Sequence, residues 1–132
     1  MPRSSKNHYS RPILNNFIIL KKNVARKAKL EKFEELNNLP NVFQNKEVHS
    51  SNLINSEKET VVMKGKWHTY FGNDNPITIE LACGKGEYAV GLAEMYPNRN
   101  FIGMDLKGNR VWRGAKSAHQ KGLKNVAFLR AQ

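Results

Sequence analysis

Glu80, Gly84, Gly86 and Asp105 have types and spacings that could hold a nucleotide-like cofactor. Two glycines, two positions apart, remove side chains that would keep a backbone away from a ligand. The helical segment after them presents free N–H groups toward the same space. An acid about 20 residues further on, ending the next strand, is placed to accept hydrogen bonds from ribose hydroxyls. These residues predict a cofactor containing adenosine. Gly84-Lys85-Gly86-Glu87-Tyr88-Ala89 also satisfies a loose dinucleotide pattern, and an NAD-dependent oxidoreductase would account for the turn and for Asp105. It would not account for Glu80, because a carboxylate just before the turn repels a pyrophosphate. The ammonium and sulfonium of S-adenosylmethionine would instead be attracted to it. The plainer alternative for Glu80 is a solvated strand face.

The elements that must position these residues follow from the hydrophobic pattern. Residues 77–82 read as a strand, 86–96 as a helix closed by Pro97, and 101–105 as a second strand. Residues 107–121 read as a second helix with a thin stripe of Val111, Ala115 and Ala118, ended by Gly122. Residues 126–130 form a third strand. This is an α/β, Rossmann-like pattern, apparently truncated after the third strand, since doubly wound sheets commonly have about six. Upstream, the spacing of Leu30, Phe33 and Leu36 predicts a short amphipathic helix over 24–36, stopped before Pro40. Residues 1–23 read as a flexible basic tail, 24–60 as that helix plus a surface connector, and 61–132 as the cofactor-binding half-domain. The apolar run 17–20 fits a tail poorly; it could be an edge strand or sequence upstream of the natural start. Residues 61–63 could form a short strand. The basic and aromatic run 64–72 could stack on bases but is better suited to capping the core. Asn73-Asp74-Asn75-Pro76 is a strong turn signal.

The formal charge of +11 is unevenly spread, with eight Lys or Arg and no acid in residues 1–30, and seven against one acid in 105–132. Such asymmetry favours an anionic partner, and nucleic acid is a common one. On the second helix Lys107, Arg110 and Arg113 could contact phosphates or simply be solvated. A non-catalytic RNA-binding protein would explain the charge equally well. The single cysteine, Cys83, excludes an internal disulfide and reads as packing, and the four histidines lack metal-ligand spacing. No apolar run approaches membrane-spanning length, and the cytoplasm is the expected location.

Gly65-Lys66-Trp67 with 71–76, then Glu80-Leu81-Ala82-Cys83-Gly84-Lys85-Gly86, then Phe101-Ile102-Gly103-Met104-Asp105, resembles the bacterial tRNA (guanine-N7)-methyltransferases. The likeness runs from about residue 27 to Gln132 and includes Leu39-Pro40-Asn41-Val42-Phe43 and Trp112-Arg113-Gly114-Ala115. The resemblance implies methyl transfer from S-adenosylmethionine to guanine N7 in the variable loop of tRNA. It implies that Glu80 and Asp105 bind the cofactor and that Gln132, where family members often have Asp, makes a contact near the adenine. The family continues into further strands carrying catalytic and tRNA-binding residues. No catalytic residue is therefore expected within these 132 residues, and the chain alone is expected to be inactive.

Overall fold

In the computed structural model, residues 10–131 are described. They divide into two compact units, with the boundary between Glu31 and Lys32. The helix α1, Ser10–Asn38, begins in the first unit. It is longer than the pattern of residues 24–36 suggests and takes in residues 10–23, where the sequence pointed to a tail. Pro12 does not prevent this, because a proline in the first turn lacks only an N–H that has no helical acceptor anyway. The side chains of residues 18–31 are exposed, so Ile18, Ile19 and Leu20 lie on a helix rather than on an edge strand. In the second unit Phe33 and Leu36 of α1 pack into the core, and Leu36 is fully buried.

The second unit is an α/β layer structure. Its sheet has six strands, in the spatial order 60–62, 52–54, 42–44, 126–130, 100–105 and 77–81. Strands β4 (Ile77–Leu81), β5 (Asn100–Asp105) and β6 (Val126–Arg130) are parallel, linked by helices α3 (Glu87–Met95) and α4 (Gly108–Gln120). These elements agree with the sequence pattern to within a residue or two. The short strand expected at 61–63 is present at residues 60–62, and the connector adds two more strands that the pattern did not show. β1 (Val42–Gln44) lies parallel to β6, with Val42 opposite Phe128, and β2 (Asn52–Ile54) and β3 (Thr60–Val62) extend the sheet antiparallel. Three residues cannot display an alternation, so β1 and β2 are visible only as pairings. Their hairpin is held by Asn55, whose Oδ1 accepts the N–H groups of Glu57 and Glu59, both at 3.0 Å.

Alternate strand residues face two cores. Phe101, Val126 and Phe128 join Val90, Ala93, Val111 and Ala115 beneath α3 and α4. Ile102, Ala127, Leu129 and Phe43 face the other way and are covered by α2 (Trp67–Phe71). The aromatics of residues 67–71 accordingly cap the core: Phe43 meets Trp67 and Tyr70 edge-on at 5.2 and 5.1 Å. The predicted turn is also present. Asn73 Oδ1 accepts the Asn75 amide at 3.0 Å and the side-chain amide of fully buried Asn100 at 2.7 Å, tying the turn to the start of β5. At the other end of the crossover, Asn125 Nδ2 donates to the carbonyls of Ala93, Tyr96 and Arg99 at 2.9–3.1 Å, satisfying the end of α3.

The ring of Phe128, wholly buried, sets how close these layers come. A Cβ at Gly86, Gly103 or Gly114 would fall 2.6, 2.9 or 2.7 Å from its Cε1. Glycine is needed there to make room for a ring whose burial contributes about 1.5–3 kcal/mol. By contrast Gly91 faces open space. The strand β4 also stops one residue early, since Ala82 has a φ of 55°. A residue with a Cβ pays roughly 1–2 kcal/mol for that left-handed conformation.

Two outcomes follow from this packing. Gly103→Ala should lower the unfolding free energy by about 1–3 kcal/mol, and by less when Phe128→Leu is already present. A double-mutant cycle in urea checks this, and strictly additive losses would count against the ring as the obstacle. Ala82→Gly should stabilise the fold by about 0.5–1 kcal/mol, the relieved strain less the added chain entropy. A lowered melting temperature would show that the left-handed backbone at residue 82 carries no strain.

Candidate cofactor site

The turn after β4 carries the chemistry that the sequence singled out. Three residues in alternation, Ala82, Gly84 and Gly86, have φ of 55°, 58° and 73°, and they curl the backbone between the end of β4 and the start of α3. The Gly86 amide donates to the Cys83 carbonyl at 3.0 Å, and the Cys83 amide to the Met104 carbonyl of β5 at 2.8 Å. The two glycines have different roles. At Gly86 the space of a side chain is filled by Phe128, so this glycine serves packing. At Gly84 no atom lies within 4 Å of a would-be Cβ, so this glycine leaves an open approach to the backbone.

Asp105 holds the turn in place. It is 7% exposed at the end of β5; its Oδ2 accepts the Gly84 amide and its Oδ1 the Lys107 amide, both at 2.9 Å. Burial raises its pKa, but the amides of Lys107 and Gly84 and the charge of Arg110 outweigh that, and the carboxyl titrates below its usual range. Asp105 is thus ionised at neutral pH. Two carboxylate oxygens offer about four acceptor positions, so two amides leave capacity for further donors.

Glu80 lies one strand over, in register with Gly103 and half-buried. Burial raises its pKa, partly opposed by the Ala89 amide of α3. Its Oε2 is enclosed and has no hydrogen-bond partner. An acceptor in that position is costly unless a donor reaches it. Cys83 sits between the two acids: burial, then the charges of Glu80 and Asp105, push its thiol up to about 11. It is 7% exposed and remains a neutral thiol that packs in the core.

These residues fit an adenosine cofactor bearing a positive charge. Gly84 offers a bare backbone, Asp105 an ionised acceptor, and Glu80 an enclosed oxygen that still lacks a donor. Gln132 lies outside the described residues. Lys107, Arg110 and Arg113 are exposed at three-residue intervals along the start of α4, and Arg110 is near enough to Asp105 to influence its titration. Arg113 lines a groove with Lys85, Ser117 and Lys121 between α3 and α4. Ala82 was missed as a member of the turn, since an alanine at the end of an apolar run reads as strand. Gly103 and Gly114 were missed as well; the only sequence signal was a glycine inside a strand and another inside a helix.

A family model described as "Putative methyltransferase" matches residues 74–132. A tRNA (guanine-N(7)-)-methyltransferase of Bacteroides thetaiotaomicron is 52% identical over 105 residues, covering 79% of this chain and 39% of that protein. One from Christiangramia forsetii is 49% identical over 111 residues, with 83% and 46% covered. One from Brevibacillus brevis is 44% identical over 66 residues, with 50% and 31% covered. The chain therefore spans less than half the length of these curated relatives. The mixed sheet with its flanking helices has the architecture of a Rossmann-like S-adenosylmethionine-dependent methyltransferase fold. Over most of its length the chain matches the bacterial tRNA (guanine-N7)-methyltransferase family, and it corresponds to only part of those longer proteins.

Proposed function

We propose that this chain is the cofactor-binding part of an enzyme that methylates guanine N7 in the variable loop of tRNA, with S-adenosylmethionine as donor. The observation that carries the reading is the pairing of an open glycine turn, held by ionised Asp105, with the unpartnered oxygen of Glu80. The printed names of the relatives point to the same activity. When bound, the donor supplies an electrophilic methyl group on a positively charged sulfur. Guanine N7 has a free lone pair, so no residue needs to act as a base. This chain's part is to bind and orient, which is how catalysis by alignment works. Glu80 meets the positive charge, Gly84 lets the backbone come close, and Asp105 accepts hydroxyl donors while bracing the turn. Cys83, as a neutral thiol, stays out of the reaction.

The exposed cations Lys107, Arg110 and Arg113 are proposed to contact tRNA phosphates. Catalytic residues are proposed to lie in the portion of the relatives that this chain does not span, so these 132 residues alone are expected to lack activity. Among the described residues no helix is long and apolar enough to cross a membrane. A cytoplasmic setting, where tRNA is available, is part of the proposal.

Calorimetric titration with S-adenosylhomocysteine tests the cofactor reading. Asp105→Ala should weaken binding by roughly 1.5–3 kcal/mol, the range for hydrogen bonds to a charged group. An unchanged dissociation constant in a variant with native circular dichroism would remove Asp105 from the site. The pH dependence tests Glu80. Its folded pKa is raised, so the apo protein holds this proton above the usual glutamate range, and a cationic ligand must displace it. Affinity should therefore rise from about pH 5 toward neutrality, and Glu80→Gln should flatten the profile. A profile identical in wild type and Glu80→Gln would assign the proton to another group.

A further inference from the structure

A second cavity lies at the carboxyl edge of the sheet, beside Asp105. Its volume is about 350 Å³, and its described lining includes Gln44, Lys46, Lys58, Leu106 and Arg130. Leu106 directly follows Asp105, and Gln44 and Arg130 end the parallel neighbours β1 and β6. Ligands of parallel α/β sheets gather at this edge.

We propose that this cavity binds a phosphate group, namely a backbone phosphate of the RNA substrate. The RNA part rests on the methyltransferase reading above; the phosphate chemistry stands on the cavity. Three cations line it and, among its described residues, no carboxylate does. The carboxylate that Asn55 contacts, Glu59 at 3.3 Å, is not among the lining residues. Two of the cations are held in place by neutral oxygens only. Lys58 Nζ donates to the Asn37 carbonyl at 2.8 Å and to Asn38 Oδ1 at 3.2 Å. Arg130 donates from Nη1 to Gln44 Oε1 at 3.2 Å and from Nε to the Leu106 carbonyl at 3.4 Å, with its Cζ 5.3 Å from the Phe33 ring centre. Gln44 is itself held, donating to Asn37 Oδ1 at 2.8 Å.

Neutral acceptors orient these groups without cancelling their charge. An ammonium has three donors and a guanidinium five, so each keeps donors to spare. Exposed Lys46 adds a third charge with no ion pair among the described residues. Cations fixed in advance and left uncompensated suit an oxyanion, and guanidinium with ammonium is the usual pairing for phosphate. The space also admits the sugar that carries it.

The test uses the full chain and an unmodified tRNA transcript, followed by fluorescence anisotropy across a salt series. Lys46→Ala should weaken binding several-fold at low salt and reduce the logarithmic salt slope by about 1, the value of one phosphate contact. Lys46→Glu should weaken it further. Lys58→Ala is the second variant, accepted only with a native melting curve, while Lys64→Ala and Lys64→Glu control for an exposed lysine outside the cavity. Tracking the amides of Asn45 and Lys46 by NMR during titration with inorganic phosphate separates the sources. Saturable shifts with unaltered RNA binding would assign the cavity to a free phosphate. RNA affinity and slope no lower than in the Lys64 controls, with no phosphate shifts, would overturn the proposal. S-adenosylhomocysteine affinity should be unchanged in every Lys46 variant. Its absence in wild type would sink the cofactor reading and leave the cavity result standing.

Discussion

The carboxylate of Asp105 is the contact on which the site depends. With one oxygen on the Gly84 amide and the other on the Lys107 amide, it joins the end of β5 to the turn after β4 and to the entry of α4. Three elements that come from different parts of the sequence are thereby fixed relative to one another. The acid remains charged despite its burial because amide dipoles and Arg110 replace the water it has lost. The two amides use only part of the carboxylate's acceptor capacity.

Beneath that contact the layers close on Phe128. Its ring takes the volume left by Gly86, Gly103 and Gly114, one from the turn, one from a strand and one from a helix. The glycine turn is therefore built from below as much as from above: Gly86 lets the turn settle on the ring, and Gly84 leaves the upper side open. A motif that reads as a single signature divides into a glycine that packs and a glycine that leaves the backbone open. The strain at Ala82 belongs to the same economy, because a tight turn needs three left-handed residues in alternation and only two of them are glycine.

Charge is arranged as deliberately as packing. Where cations support the fold they are paired or stacked: Lys116 meets Glu35 at 3.0 Å, and both Lys32 and Lys116 lie about 5 Å from the Trp112 ring centre while its indole N–H donates to Glu35. Where cations border the cavity, at Lys46, Lys58 and Arg130, no carboxylate among the described residues lines the space with them. Part of the net charge of +11 therefore lies in residues 105–132, which hold seven Lys or Arg against one acid.

By itself the sequence determined the parallel half of the sheet, both crossover helices, the glycine turn and the two acids beside it. Each rests on a local signal: apolar runs bounded by turns, a 3.6-residue stripe, or glycines at fixed spacing. Tertiary structure decided most of the other half. Strands β1 and β2 are three residues each and become strands only because β6 offers β1 an open edge to pair with. Helix α1 runs through residues that composition assigned to a tail, since the polar, proline-containing stretch permits helix without showing its period. The distinct tasks of Gly84 and Gly86 depend on a phenylalanine more than forty residues away, and no spacing rule reports what fills the volume a missing side chain leaves.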